Sequence, residues 1–336
     1  MGSVASEAAS APLGDVLVTG AGGFIGSHLC ERLVRDGADV RALCRYTSRR
    51  EIGNLAQLPV DVRQSIDLRF GDLLDRDFVG RLVSRRTRVF HLGASISVSY
   101  SFEAPREVVR TNVEGTLNVL TAALDAAVER IVQVSSSEVY GTAQYTPIDE
   151  RHPLAAQSPY AASKVGADKL AESFHLAYGL PVVIARPFNT YGPRQSLRAV
   201  IPTIISQALQ QEELNLGSTS PTRDFVYVSD TIDAMVRLAR SSAHPGETFN
   251  TATGKDISVA DVVSVVGELL GRELRTVSRE ERVRPGSSEV HQLLGDARRI
   301  REAFGWEPAT ALRDGLAATI AWMRDRPAVS SDVYVV

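Results

Sequence analysis

Tyr160 and Lys164 stand four residues apart in Tyr160-Ala161-Ala162-Ser163-Lys164. On a helix that spacing puts both side chains on one face, where they can address the same atom. An ammonium beside a phenol favours the phenolate, so the pair predicts a tyrosine able to act as a general base near neutral pH. Ser136, in Ser135-Ser136-Ser137-Glu138-Val139-Tyr140-Gly141, can hydrogen-bond the same reacting oxygen from the end of a strand. Glu138 adds a second proton-transfer group, which alcohol oxidation alone does not need. The set therefore implies hydride transfer coupled to a further step. Taken alone, Glu138 also fits a structural carboxylate at a strand end.

These residues need a scaffold, and the pattern supplies one. Short β-branched runs at Val16–Thr19, Asp39–Leu43, Ile66–Phe70, Arg88–Leu92, Arg130–Val134 and Pro181–Ala185 read as strands. Helical stretches such as Phe24–Arg35, Pro105–Ala127 and Pro159–Tyr178 lie between them. Apolar strands separated by helices predict an α/β fold, a doubly wound parallel sheet of Rossmann type covered on both faces. After Arg186 the elements shorten, with helices near Ile201–Gln211, Asp230–Ser241, Val259–Leu270 and Leu312–Arg324. We expect a disordered tail at 1–14, a dinucleotide-binding domain at 15–190 and a discontinuous α/β substrate lobe at 191–326. Segments near 225–255 are expected to return to the first domain, and 327–336 to form a flexible tail.

The first strand runs into Thr19-Gly20-Ala21-Gly22-Gly23-Phe24-Ile25-Gly26, which opens the first helix. Gly20, Gly23 and Gly26, three apart, let the backbone turn tightly and approach a pyrophosphate at the helix N-terminus, with Phe24 and Ile25 beside it. Asp72 and Leu73 after the third strand are candidates for the adenine end, Asp72 fitting a helix N-cap equally well. Leu92 and Ala94, flanking Gly93, line the cofactor's path. Acidic residues that would bind a ribose 2′-hydroxyl are missing at the end of the second strand, where Cys44, Arg45 and Ser48 stand. Arg45 and Ser48 suit a 2′-phosphate, so NADP is favoured over NAD. A solvated basic loop is the plainer alternative.

Composition narrows the rest. A net charge of −3 over 336 residues gives no electrostatic reason to expect nucleic acid or an anionic membrane as partner. No apolar run approaches the roughly 20 residues that span a bilayer. The start is rich in Ala and Ser without a cationic region, unlike a signal peptide. Cys30 and Cys44 have no metal-ligand spacing, no metal is expected, and two thiols in so long a chain fit a reducing cytoplasm.

Five segments in order, Ser136–Gln144, Gln157–Lys164, Arg186–Gln195, Ser220–Phe225 and Arg284–Val290, resemble the extended short-chain dehydrogenase/reductases that act on nucleotide sugars. The resemblance spans nearly all of Asp15–Arg324 and is closest to the hexosamine 4,6-dehydratases of legionaminic-acid-type pathways. It implies a lyase that oxidises C4 of a nucleotide hexose, with UDP-N-acetylglucosamine the expected substrate. Tyr160 would take the 4-hydroxyl proton, Glu138 the C5 proton, water would leave from C6, and hydride would return there from a tightly bound, recycled NAD(P). Ser137 departs from the pattern, because hexose 4,6-dehydratases carry aspartate there as the acid for the leaving hydroxyl. Either Ser137 relays a proton through water or Glu138 acts as base and acid.

The resemblance places Arg223 and Arg284 on the nucleotide diphosphate. Asn189, Arg194, Ser97 and Tyr100 are candidates for the sugar or phosphate. It also implies a homodimer through a four-helix bundle built from the helices at Pro105–Ala127 and Pro159–Tyr178. Apolar positions such as Val119, Ala122, Ala123, Val165, Leu170 and Leu176 suit either a core or that interface. Other readings of the same motifs are a nucleotide-glucuronate decarboxylase, a 4-epimerase, a 5,6-dehydratase, or a non-catalytic nucleotide sensor. A sensor would have no need of Ser136, Tyr160 and Lys164 together.

Overall fold

The computed structural model describes residues 11–279 and 289–325. Arg284 and the expected tail at 327–336 lie outside the described residues. The first half runs β1 (Asp15–Thr19), α1 (Phe24–Arg35), β2 (Asp39–Arg45), α2 (Val60–Gln64), β3 (Ile66–Gly71), α3 (Arg76–Val83) and β4 (Arg88–His91). It continues with α4 (Val98–Glu103), α5 (Pro105–Val109), α6 (Gly115–Asp125), β5 (Arg130–Val134), α7 (Pro159–Tyr178) and β6 (Val182–Pro187). The second half runs β7 (Asn189–Tyr191), α8 (Val200–Gln210), β8 (Glu213–Leu216), β9 (Thr222–Tyr227), α9 (Val228–Arg240) and β10 (Thr248–Thr251). Next come β11 (Asp256–Ser258), α10 (Val259–Leu270), β12 (Arg275–Ser278), β13 (Gln292–Leu293), α11 (Arg298–Phe304) and α12 (Leu312–Arg324).

Seven strands form one sheet in the order β10-β6-β5-β4-β1-β2-β3, and every pair is parallel. The fold is thus the doubly wound, Rossmann-like class. Every residue of β5 is buried, as a strand covered on both faces must be. The chain order reverses between β1 and β4, and ligands of such sheets bind outside the carboxyl ends of the strands at that point. A four-stranded sheet of β11, β9 and β13 with β7 on β9 forms the second lobe. Its own core holds Ile204, Ile205, Leu214, Val262 and Leu316. β10 pairs with β6 and α9 packs against α1, so this later stretch completes the first sheet.

α7 starts at Ser158, whose hydroxyl accepts from the Ala161 N–H at 3.1 Å, with Pro159 in the first turn. It stops at Gly179 in the left-handed conformation, φ 71°. Two expectations need correcting. The stretch expected as one helix from Pro105 to Ala127 is broken by a π turn at Arg110–Glu114, which turns Asn112 inward. The residues just before β1 are ordered, with Leu13 buried and its carbonyl accepting from Arg88 at 2.9 Å. Val119 and Ala123 are core residues, fully buried, whereas Leu176 is 84% exposed.

Candidate active site

The glycine turn is built so tightly that side chains cannot enter it. Gly20 has φ +69°, and a Cβ there would lie 2.8 Å from the Gly93 nitrogen. A Cβ on Gly26 would lie 2.3 Å from the Gly20 carbonyl oxygen. Gly23 stands at the N-cap of α1 with no side-chain cap, and the first turn holds no acidic residue. Free amides and an uncompensated helix dipole there suit an anion.

Behind this turn a directed chain of hydrogen bonds joins β1 to β4. The Gly93 N–H donates to Thr19 Oγ1 at 2.9 Å, and Thr19 Oγ1 lies 2.7 Å from His91 Nδ1. Thr116 Oγ1 donates to the Asn112 carbonyl at 2.6 Å, so it accepts from His91 Nε2, 3.0 Å away. That pattern assigns the proton to Nε2. Burial, helped by the charge of Lys164, pushes His91 down to about 3, so the ring is neutral. Asn112 extends the chain, binding the Ser95 backbone through both amide atoms and donating to Ser163 Oγ at 2.8 Å. The π turn aims this side chain, a use to which such turns are often put.

Ser136, Glu138 and Tyr160 come together at the carboxyl end of β5. Ser136 Oγ accepts the Glu138 N–H at 3.2 Å and shares a side-chain hydrogen bond with Tyr160. Tyr160 is 7% exposed and Lys164 5%. Burial pushes the Tyr160 phenol up to about 12; the Ser136 bond opposes the rise, and the charges of Glu138 and Asp168 add to it. The phenolate-favouring ammonium expected from the spacing is turned elsewhere, since Lys164 Nζ donates to the Val134 carbonyl at 2.6 Å. Burial lowers Lys164 to about 8, against the pull of Asp168. Ser137 is 3% exposed, whereas Glu138 is half-buried.

The GDP-mannose 4,6 dehydratase family matches residues 17–319. The chain belongs to this family. Members are extended short-chain dehydrogenase/reductases with an NAD(P)-dependent chemistry on nucleotide sugars. A UDP-glucose 4-epimerase of Mycolicibacterium smegmatis is 36% identical over 92% of this chain and 98% of its own. A dTDP-glucose 4,6-dehydratase of an Actinoplanes species is 33% identical over 92% and 97%. Among solved structures, the dTDP-glucose 4,6-dehydratase DesIV of Streptomyces venezuelae, with NAD bound, superposes with a TM-score of 0.81 at 32% identity. That match covers 92% of this chain and 97% of DesIV.

The remaining candidates of this family member fall at varied distances from the chemistry. Asp72 is exposed and accepts from the Leu74 N–H at 3.0 Å, while Asp75 is the residue that caps α3. Leu73 is buried, with its Cδ1 only 2.7 Å from where a Gly93 Cβ would lie, and Leu92 and Ala94 are partly buried beside it. Arg45 and Ser48 are exposed beyond the end of β2. Ser97 caps α4 by accepting from the Tyr100 N–H at 3.1 Å, and Tyr100 is 36% exposed.

Asn189 Oδ1 is buried with no hydrogen-bond partner among the described residues. Arg223, 8% exposed, donates to the Thr222 carbonyl at 2.9 Å and reaches Glu289 at 3.5 Å. Arg194 is tied to the first lobe. Its guanidinium pairs with Glu31 of α1 at 2.6 Å through Nη2, from a backbone at φ 68°, while Nε and Nη1 are buried without a hydrogen-bond partner among the described residues.

Asp168, outside the five segments, and Arg186, the first residue of the Arg186–Gln195 segment, sit beneath the site. Asp168 is fully buried and pairs with Arg186 of β6 at 2.9 Å. Asp168 lies four residues after Lys164, on the buried face of α7 that also carries Tyr160 and Lys164, and no local pattern announces its pairing with Arg186.

Proposed function

We propose that the protein is a nucleotide-sugar 4,6-dehydratase that converts UDP-N-acetylglucosamine to its 4-keto-6-deoxy product. The observation that carries this reading is Glu138. A half-buried carboxylate lies within electrostatic reach of Tyr160, in the turn that also holds Ser136.

The glycine cradle fits a dinucleotide, since Cβ atoms at Gly20 and Gly26 would fill it. Gly20, Gly23, Gly26 and the amides opening α1 would hold the pyrophosphate, with Leu73, Leu92 and Ala94 along its length. A dinucleotide held there would supply a nicotinamide as the acceptor and later the donor of hydride. Tyr160 accepts the 4-hydroxyl proton, with Ser136 hydrogen-bonded to the same oxygen. For this, Lys164 turns from the Val134 carbonyl towards the phenol and lowers it from about 12. The 4-ketone acidifies C5, and Glu138 removes that proton. Glu138 then hands it to the departing C6 hydroxyl, so water leaves. The proton that returns to C5 balances the one Tyr160 took.

We favour NADP over NAD, on the absence of a carboxylate from Cys44 to Arg50 and the exposure of Arg45 and Ser48. Arg223 and Arg284 are proposed to bind the diphosphate, and the unpartnered Asn189 oxygen supports a sugar or phosphate contact nearby. A cytoplasmic homodimer through α5, α6 and α7 is proposed from the exposed Val109, Leu117, Leu176 and Tyr178 on those helices. No helix among the described residues is long and apolar enough to cross a membrane.

The test is separate incubation with UDP-N-acetylglucosamine, UDP-glucose and UDP-glucuronate, each reaction then read by mass spectrometry. Loss of water from the hexosamine supports the proposal. Loss of carbon dioxide from the glucuronate sinks it. The 36% identity to an epimerase favours one second reading, which predicts an isomer of unchanged mass.

A further inference from the structure

The turn carrying Ser136 and Glu138 is held at both ends by one buried ion pair. At its start, Ser135 Oγ donates to Asp168 Oδ2 at 2.8 Å. At its end, Tyr140 Oη accepts from Arg186 Nη1 at 3.1 Å, and the guanidinium lies over the Tyr140 ring, 5.1 Å from its centroid. Arg186 joins the two ends by donating to Asp168 Oδ2 through Nε at 3.0 Å and Nη2 at 2.9 Å. Tyr140 in turn donates to Asn250 Oδ1 at 2.7 Å, anchoring the pair to β10.

The same pair sets the helix against the strand. Lys164 grips the Val134 carbonyl and Asp168 grips Ser135, so two side chains one turn apart on α7 hold adjacent residues at the end of β5. The next residue is Ser136. Replacing a buried ion pair with apolar residues of similar size is often neutral or stabilising, so packing alone gives no reason for this one.

We propose that Asp168, held by Arg186, is a positioning residue for the reaction. It fixes the Ser135–Tyr140 turn against Tyr160 and supplies the counter-charge that keeps Lys164 an ammonium. Burial pushes the Asp168 carboxyl up, and the two Arg186 donors, the Lys164 charge and the Ser135 hydroxyl oppose that rise by favouring the carboxylate. The groups around Lys164 are few. Tyr160 and Asp168 share its helix, His91 faces it from β4 as a neutral ring, Arg186 of β6 reaches it through Asp168, and Glu138 acts on it through Tyr160. Asp168 is the negative charge acting on it directly.

The inference rests on the Tyr160–Lys164 half of the proposed chemistry, shared by dehydration and epimerisation. Its main test needs no turnover. The chain holds three lysines, Lys164, Lys169 and Lys255. Lysine labelled with carbon-13 at Cε therefore gives a short spectrum, assigned with Lys169→Arg and Lys255→Arg. Lys164 is expected to titrate near 8 in the wild-type protein. Asp168→Asn should move that titration down by about one unit or more, and Asp168→Glu should bring it back.

A merely structural role would leave the Lys164 titration in place, and that result overturns the proposal. Ser135→Ala leaves every charge where it is. It should keep Lys164 near 8 while slowing single-turnover cofactor reduction about ten- to hundredfold, the cost of a small misplacement. A wild-type rate in Ser135→Ala refutes the positioning role. Failure of every nucleotide sugar to reduce the cofactor in the wild-type enzyme would count against the proposed function instead, leaving the lysine titration to decide this inference.

Discussion

Replacing Glu138 with glutamine separates the two halves of the proposed reaction. The isostere keeps the size of the side chain, and its main-chain N–H still donates to Ser136 Oγ, 3.2 Å away. Only the charge is removed. After burial, that charge is the larger of the two carboxylate influences holding the Tyr160 phenol up near 12, so its loss eases proton transfer from the 4-hydroxyl. Oxidation at C4 should therefore run as fast as in the wild-type enzyme or faster. The C5 proton, by contrast, loses its acceptor. A positioned general base contributes about 10²–10⁴-fold, or about 3–5 kcal/mol on that barrier. Turnover should fall by about that factor while reduced cofactor accumulates. Stopped-flow absorbance of the reduced nicotinamide and mass spectrometry of deuterium incorporated at C5 from heavy water read the two steps separately. Turnover within a few-fold of wild type would refute the assignment of Glu138 as the C5 base. Loss of cofactor reduction together with turnover would refute the division of labour itself.

Gly26→Ala forces a Cβ to within 2.3 Å of the Gly20 carbonyl oxygen, so thermal melts should show destabilisation of about 1–3 kcal/mol and dinucleotide binding should weaken. Gly80→Ala, inside α3 with nothing within 4 Å of the new methyl, should instead stabilise by about 0.5–1 kcal/mol; the opposite ranking would discredit the packing argument. Ser137→Ala should keep near-wild-type turnover because the side chain is 3% exposed, and a loss matching that of Glu138→Gln would make Ser137 the proton relay. His91, held neutral by burial, has a folded-state pKa near 3 against an ordinary value of 6.5. Its contribution is complete above pH 6.5 and is lost as the pH falls towards 3, because the unfolded chain binds the proton first. Between pH 6.5 and 4.5 that amounts to about 2–3 kcal/mol. Urea denaturation at the two pH values measures it, and a His91→Gln variant with the same acid sensitivity as wild type would assign the loss to other groups.

The framework was legible wherever the chain punctuates itself. α7 is bounded by Ser158-Pro159 and Gly179, and α1 by the glycine turn and Gly37, so period and boundary signals agree. The π turn was not legible, because widening one turn at Arg110–Glu114 changes no residue type and leaves the apolar period nearly intact. At the site, the sequence brought Ser136, Glu138, Tyr160 and Lys164 into one region but misjudged which way the lysine points. Spacing places Lys164 beside Tyr160, whereas the bare Val134 carbonyl at the end of β5 competes for the ammonium and wins it. Asp168 and Arg186 were missed for the same reason: their pairing joins a helix to a strand and has no local signature. The pairing of Arg194 with Glu31 of α1 was not legible either, since it joins residues far apart in the chain.

The product is harder to read than the reaction class because the relatives divide at a single chemical branch. Epimerisation and dehydration both begin with a 4-ketone, so the Ser–Tyr–Lys set is common to them. The fate of that ketone depends on whether a base stands beside C5 while it exists. Without one, the intermediate turns and takes hydride back at C4; with one, C5 loses its proton and the C6 hydroxyl is expelled. Glu138 is the one carboxylate in the Ser137–Tyr140 turn, and Ser137 is too buried to meet the leaving group directly. In the proposed dehydration, the proton taken from C5 and the proton given to the C6 oxygen then pass through the same carboxylate. A single group can do both only from one side of the C5–C6 bond, so elimination must be syn. A hexosamine labelled stereospecifically with deuterium and tritium at C6 would yield a methyl group whose configuration reports that geometry, and an anti outcome would require a second acid that Glu138 does not supply.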